Sequence, residues 1–175
     1  MRKVIVYIAA SVDGYIARPD GNIDWLSMVE TPGEDYGYQA FTETIDTVIM
    51  GRKTYEKVLS FGIPYPHTDK QNYIITQTLS QSTDKNIQFY AGDLTALITQ
   101  LKQQEGKNIF IDGGAQLVHS LLEFGLIDEI IVSTVPVMLG GGIRLFREGL
   151  PEQKLKLMQV QSFKSGLVQV HYTKL

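Results

Sequence analysis

Nine residues, Val48-Ile49-Met50-Gly51-Arg52-Lys53-Thr54-Tyr55-Glu56, carry the most chemistry for their length. An apolar, β-like run stops at Gly51. Arg52, Lys53 and Thr54 follow at once, and Tyr55, Val58 and Leu59 then fall at helical spacing. A strand that ends on glycine and opens a helix is built to hold an anion. The first amides of the helix have no intrahelical acceptor, and the positive end of the helix dipole points the same way. Gly51 lets the backbone approach closely, and two cations add full charge. A second stretch repeats the design: Ile109-Phe110-Ile111-Asp112 runs into Gly113-Gly114, then Ala115-Gln116-Leu117 opens a helical pattern. If both strands are parallel, both helix mouths lie at the carboxyl edge of one sheet, where ligands of open α/β folds bind. A dinucleotide has two phosphate groups to offer such a pair. The arrangement differs from the Rossmann fingerprint, because no G-x-G-x-x-G follows a strand. Gly140-Gly141-Gly142 has no clear helix after it and reads as a turn or bulge.

Two further stretches supply candidates. Ala9-Ala10-Ser11-Val12-Asp13-Gly14-Tyr15-Ile16-Ala17 leads through a second Asp-Gly turn at Asp20-Gly21 to Trp25. Small side chains at Ala9 and Ala17 leave room for a flat ring against the backbone, and a loop of this length is able to close over a substrate. Beyond the tryptophan stand three carboxylates, Glu30, Glu34 and Asp35.

The elements that position these residues are legible from periodicity. Strands are expected at 3–10, 47–50, 72–76, 87–90, 108–112, 129–135, 155–163 and 167–174, several of them continuous apolar runs that suit strands covered on both faces. Helices are expected at 36–44, 52–60, 94–104 and 115–124, with Asp93 as an N-cap and Gly125 past a C-terminus. Lys164-Ser165-Gly166 makes a hairpin turn between the last two strands. The order predicts an α/β domain with a mostly parallel sheet and an antiparallel edge. Residues 11–33 and 60–71 read as long irregular loops.

The bulk properties bound the answer. With 175 residues, 43% of them apolar, one domain spanning 1–175 with a sizeable core is expected. A formal charge of -3 and a pI near 5.6 argue against nucleic-acid binding. The absence of cysteine excludes disulfides and thiolate metal sites, and suits a cytoplasmic location. No apolar run approaches the length of about 20 residues that spans a bilayer. No metal site and no membrane contact are expected.

Together these blocks resemble the dihydrofolate reductase superfamily. Val48–Glu56 is similar to its V-I-M-G-R-x-T-x-E signature, and Ile111–Leu117 to its Gly-Gly turn, which usually holds a cis peptide. Ser11–Ala17 is similar to its active-site loop. Ser11-x-Asp13-Gly14-x-Ile16-Ala17, Gly51-Arg52-x-Thr54-Tyr55-Glu56 and Pro136-Val137-x-Leu139-Gly140-Gly141-Gly142-x-x-Leu145-Phe146 bring the chain closest to stand-alone relatives of the reductase domain of riboflavin biosynthesis. The resemblance implies an eight-stranded mixed sheet with about four helices on its two faces. It implies NADPH as hydride donor, a small pterin- or pyrimidine-like heterocycle as acceptor, and pairing into a homodimer. Carried over by position, Gly51, Arg52, Lys53 and Thr54 hold the 2′-phosphate and pyrophosphate, and Thr76 and Gln77 lie at the adenosine end. Gly113, Gly114, Ala115, Gln116 and Leu117 cradle pyrophosphate and ribose, while Ala9, Ile16 and Ala17 meet the nicotinamide. Trp25 matches the loop tryptophan. The catalytic acid is Glu30 when counted five residues forward from Trp25, and Asp35 when counted sixteen back from Gly51. The backward count crosses a helix and a strand without gaps, so Asp35 is preferred, with Ser133 as a hydrogen-bond partner for it. The alternatives are a reductase of 5-amino-6-ribosylaminouracil type, with Lys57, Arg144 and Arg147 as candidate cations, and a non-catalytic NADPH-binding protein.

Overall fold

The computed structural model describes residues 1–78, 82 and 84–175. Its elements are β1 (Val4–Ser11), β2 (Tyr15–Ala17), a short 3-10 helix (Asp24–Val29), α1 (Tyr38–Glu43), β3 (Ile45–Gly51), α2 (Arg52–Leu59), β4 (Gln71–Ile75), β5 (Ile87–Tyr90), α3 (Leu94–Gln103), β6 (Asn108–Gly113), α4 (Ala115–Glu123), β7 (Glu129–Val135), β8 (Ile143–Arg144), β9 (Leu155–Ser162) and β10 (Val168–Lys174). Eight strands form one sheet in the order β5-β4-β3-β6-β1-β7-β10-β9. Every neighbouring pair from β5 to β7 is parallel, whereas β10 runs antiparallel to both β7 and β9. This is the mixed, mostly parallel sheet with a C-terminal hairpin that the sequence predicts.

The apolar runs are continuous because both faces of the central strands are covered. Val4, Val6, Ile49, Ile109 and Ile111 join Leu97, Ile98 and Leu101 of α3 and Val118 and Leu121 of α4 in one core. The alternate residues Ile5, Val48, Met50, Phe110 and Ile131 pack with Phe41 of α1 and, at its margin, Tyr55 of α2 in a second. A third, smaller core joins Trp25 and Val29 of the 3-10 helix to Val135 and Leu167.

Two expectations need correction. Residues 11–33 are not one irregular loop: they contain β2 and the 3-10 helix. Strand β2 pairs with β8, and a Cβ on Gly142 (φ +146°) would stand 2.2 Å from the Ala17 carbonyl oxygen. The glycine triplet therefore lets the β7–β8 loop press onto β2. Asp13 ties the same two loops together, accepting from the backbone amides of Leu139 (3.0 Å) and Gly140 (2.7 Å) and from the Ser11 hydroxyl (2.6 Å). A freely closing lid over 11–17 does not fit this bracing. The second correction is that α1 begins at Tyr38, since Tyr36 and Gly37 both take left-handed backbone conformations (φ 58° and 81°). Asp35 thus lies three residues ahead of the helix.

Candidate active site

Strands β3 and β6 are neighbours, and Met50 stands opposite Gly113 in their register. Helices α2 and α4 therefore open side by side at the carboxyl edge of the sheet. A Cβ placed on Gly51 would meet the Gly114 amide nitrogen at 3.7 Å, and one on Gly114 would meet Thr54 Oγ1 at 3.1 Å. The Gly113–Gly114 peptide is cis. Each helix has glycine as its N-cap, and neither receives a side-chain cap. The other two helices differ. Asp93 caps α3 through the Ala96 amide (2.6 Å), and Asp35 accepts from the amides of Gly37 and Gln39 (both 2.9 Å) at the start of α1. Among the α-helices of the described residues, only the two adjacent mouths at the β3 and β6 ends leave their opening amides, Arg52–Thr54 and Ala115–Leu117, without a carboxylate from the described chain. The arrangement suits an anion with more than one phosphate.

The side chains around these mouths are placed less uniformly. Arg52 reaches along its own helix to Glu56 (Nε to Oε1, 2.7 Å) and is about half exposed. Lys53 and Gln116 are exposed, and Thr54 is half-buried against the Gly114 turn. Leu117 is buried in the core with α3, so only its backbone faces the turn. Thr76 ends the line of β4 at the same edge, its hydroxyl tied to the backbone of Thr78, and Gln77 is exposed. Ala17 is buried under Gly142, and Ile16 packs against the first core.

Beside this edge lies a cleft of about 660 Å3. Tyr7, Ala9, Ser133 and Val135 form its floor, and Val29, Glu30, Asp35, Tyr36 and Tyr38 are among the residues of its wall. Both candidate carboxylates line it, but neither is buried. The amides of Gln39 and then Gly37 hold the Asp35 carboxyl below the ordinary aspartate range. That is opposite to the direction a proton donor near neutrality requires. Ser133 is buried, and its partner is Gln169 Nε2 (3.0 Å), not Asp35. Gln169 Nε2 also lies 2.8 Å from the Tyr7 hydroxyl and 3.2 Å from the Tyr36 carbonyl. The Tyr36 hydroxyl in turn reaches the Val29 carbonyl and Ser165 Oγ, and its ring meets Phe163 edge-on at 4.8 Å. These contacts hold a bulky residue at positive φ where the cleft needs its wall. Trp25 belongs to the third core at 3% exposed and does not line the cleft.

The group that sequence reasoning passed over is Asp112. It is the last side chain of β6 before Gly113-Gly114, on the same face as Phe110. Three-quarters of its side chain is buried, and burial pushes its carboxyl up to about 7. His67 Nε2 stands 3.9 Å from Asp112 Oδ2 and 3.4 Å from the Tyr38 hydroxyl. Burial lowers the His67 pKa, so this imidazole is neutral near pH 7. Burial, and after it the charge of Asp112, raises the Tyr38 phenol. The signal was present in the chain: a carboxylate closing an otherwise apolar strand at its carboxyl end.

The RibD C-terminal domain family matches residues 2–169. The chain belongs to this family. It is 43% identical over 173 residues to the uncharacterized protein YwjB of Bacillus subtilis, covering 99% of this chain and 98% of that one. A protein of Shewanella sp. PV-4 has a crystal structure that superposes with a TM-score of 0.89 at 31% identity, covering 99% of both chains. The deaminase/reductase of Thermotoga maritima, named a diaminohydroxyphosphoribosylaminopyrimidine deaminase/5-amino-6-(5-phosphoribosylamino)uracil reductase, shares the fold at a TM-score of 0.72 and 14% identity. The present chain covers 57% of that longer protein. The RibD C-terminal domain is thus related to the pyrimidine reductase of riboflavin biosynthesis, and its fold is of the dihydrofolate reductase type. No helix among the described residues is long and apolar enough to cross a membrane.

Proposed function

We propose that this chain is an NADPH-dependent reductase acting on a C=N or C=O group of a small nitrogen heterocycle of pterin or pyrimidine type. The observation that carries the reading is the pair of glycine-capped helix mouths, side by side and open, next to a cleft large enough for one heterocycle. NADPH supplies a hydride when bound. The amides of 52–54 and 115–117 hold its phosphates, and Arg52 and Lys53 favour a coenzyme with the extra 2′-phosphate over one without. Arg52 gives up Glu56 at little cost, since the pair is solvent-exposed.

The chain's carboxylates divide the remaining work. Asp35, held ionised by two amides at the cleft wall, anchors an amidine-like edge of the substrate as an anion. Asp112 does not itself line the cleft, but His67 stands between it and Tyr38 of the cleft wall; its burial lets it keep a proton near neutrality, which makes it the better acid for the nitrogen or oxygen that gains one. Neutral His67 stands beside it and reaches the Tyr38 hydroxyl, while a quarter of the Asp112 side chain stays open to solvent. The network of Gln169, Ser133 and Tyr7 fixes the floor on which the ring lies. The family relationship favours a second reading within the same chemistry, in which the heterocycle is a ribosylaminopyrimidine.

The test is consumption of NADPH in the presence of dihydropterins, ribosylaminopyrimidines and simple aldehydes, each with stoichiometric product analysis. Turnover of a heterocycle in one of the first two groups is expected. Tight NADPH binding with no oxidation by any of them would favour a non-catalytic nucleotide-binding protein.

A further inference from the structure

The cleft beside the helix mouths carries one sign of charge. Its charged lining residues are Glu30, Glu34 and Asp35, all acids and all exposed at the rim. No lysine or arginine joins them among the described residues. None of the three carboxylates enters an ion pair with a described residue. Glu34 accepts from the Tyr36 amide (2.8 Å) and Asp35 from those of Gly37 and Gln39, so these two carboxylates are held in place without being neutralised. The three cations that a phosphosugar would call on lie elsewhere. Lys57 Nζ sits 5.9 Å from the centre of the Phe61 ring, the Arg144 guanidinium sits 4.9 Å from that of Tyr15, and Arg147 is exposed beyond β8. The floor adds a second constraint. Ser133 is 5% exposed and lines the cleft. Its Oγ accepts from Gln169 Nε2 (3.0 Å), which leaves its own hydroxyl hydrogen without an acceptor among the described residues. A buried donor of this kind calls for an acceptor atom on whatever fills the cleft.

We propose that the cleft selects a heterocycle without a phosphate group, uncharged or cationic, that turns a ring nitrogen or carbonyl oxygen to Ser133 and an amino-bearing edge to Asp35. This rests on the reading above, in which the cleft receives the hydride acceptor. Glu30 and Glu34 act through their field and not through contact. A phosphate at this rim meets three carboxylates and no cation, and juxtaposed like charges are an effective way to reject a wrong ligand. An amino or ammonium group meets the opposite, because a carboxylate offers acceptors only. The volume of about 660 Å3 suits a bicyclic ring or one ring with a sugar. The coenzyme's phosphates are a separate matter. They belong at the helix mouths, where glycine caps present amides in place of carboxylates.

Two matched pairs of compounds test the proposal on the whole chain: 5-amino-6-ribosylaminouracil with its 5′-phosphate, and dihydroneopterin with its monophosphate. Calorimetric titration with NADP+ present gives Kd for each member, and oxidation of NADPH gives kcat/KM. The phosphate-free member of at least one pair should bind about tenfold more tightly or better at low salt, and the gap should narrow as salt is raised. In the double variant Glu30→Gln/Glu34→Gln the gap should shrink by about fivefold or more, mainly through tighter binding of the phosphate. Glu105→Gln, beyond the C-terminus of α3, should leave the gap as it is. Ser133→Ala should weaken both members of the pair alike, by about tenfold. Preference for the phosphate-free member without oxidation of NADPH would support the proposal and count against the reductase reading. A phosphate form that binds as tightly or more tightly overturns the proposal and leaves that reading standing. A gap that the double variant does not change overturns it too, as does a Ser133→Ala chain with wild-type affinity. Binding of no member of either pair also overturns it, and the wider substrate panel then decides the reductase reading.

Discussion

Replacing Asp112 with asparagine probes the buried carboxyl in two independent ways. Burial lifts this group from 3.8 to about 7, and the gap of roughly 3 corresponds to about 4 kcal/mol between its two protonation states. The sign follows from proton counting. Between about pH 4 and pH 7 the folded chain holds a proton that the unfolded chain has released, so this group lowers stability as pH rises through that window. Below it both states are protonated, and above it the folded state bears the full cost of a buried charge. A quarter of the side chain stays exposed, which reduces the 4 kcal/mol ceiling to about 2 kcal/mol. Urea denaturation at about pH 4, 6 and 8 measures it. Asp112→Asn should gain about 2 kcal/mol relative to wild type between the lowest and highest pH, because asparagine has no proton to lose. Turnover should move the other way, falling by about 100-fold or more, with NADPH affinity nearly unchanged. Stability differences that stay constant from pH 4 to 8 would refute the claim that Asp112 is the proton-bearing group.

Other outcomes follow from the same geometry. Gly142→Ala forces a methyl group against the Ala17 carbonyl at a backbone angle alanine avoids, and should cost about 2–4 kcal/mol in thermal or urea unfolding. Asp13 is held at about 2, chiefly by the Ser11 hydroxyl, so its contribution to stability is present above about pH 4 and is lost as pH falls towards 2. Asp13→Asn should flatten that part of the acid titration. Arg52→Ala should weaken NADPH by about tenfold and leave NADH within about twofold in calorimetric titration. Asp35→Asn should raise KM for the heterocycle, whereas Glu30→Gln at the cleft rim should change neither KM nor kcat by more than about twofold.

Much of the frame was legible because the sheet is doubly covered. Runs such as Ile109-Phe110-Ile111 admit few placements, and Asp93 and Gly125 mark helix ends by their own chemistry. The paired helix mouths were legible too, since each follows from a strand that stops at glycine. What the linear order concealed was lateral contact. The link between Asp13 and the amides of Leu139 and Gly140 joins residues 126 and 127 positions apart. Gln169 reaches Ser133 and Tyr7 across 36 and 162 positions. Asp35 was singled out by counting, and counting does not reveal that its oxygens are committed to the amides of Gly37 and Gln39. Asp112 was overlooked because a carboxylate at a strand end usually faces water, and linear order does not show that packing takes three-quarters of this side chain out of it.

An NMR titration of backbone amides with NADPH bears most directly on the central claim. The largest shifts should fall on Arg52–Thr54 and Ala115–Leu117, with small ones at the Asp93-capped start of α3, and NADH should give the same pattern at weaker affinity. Shifts centred elsewhere, or none at either glycine-capped mouth, would contradict the assignment of these amides to the coenzyme's phosphates.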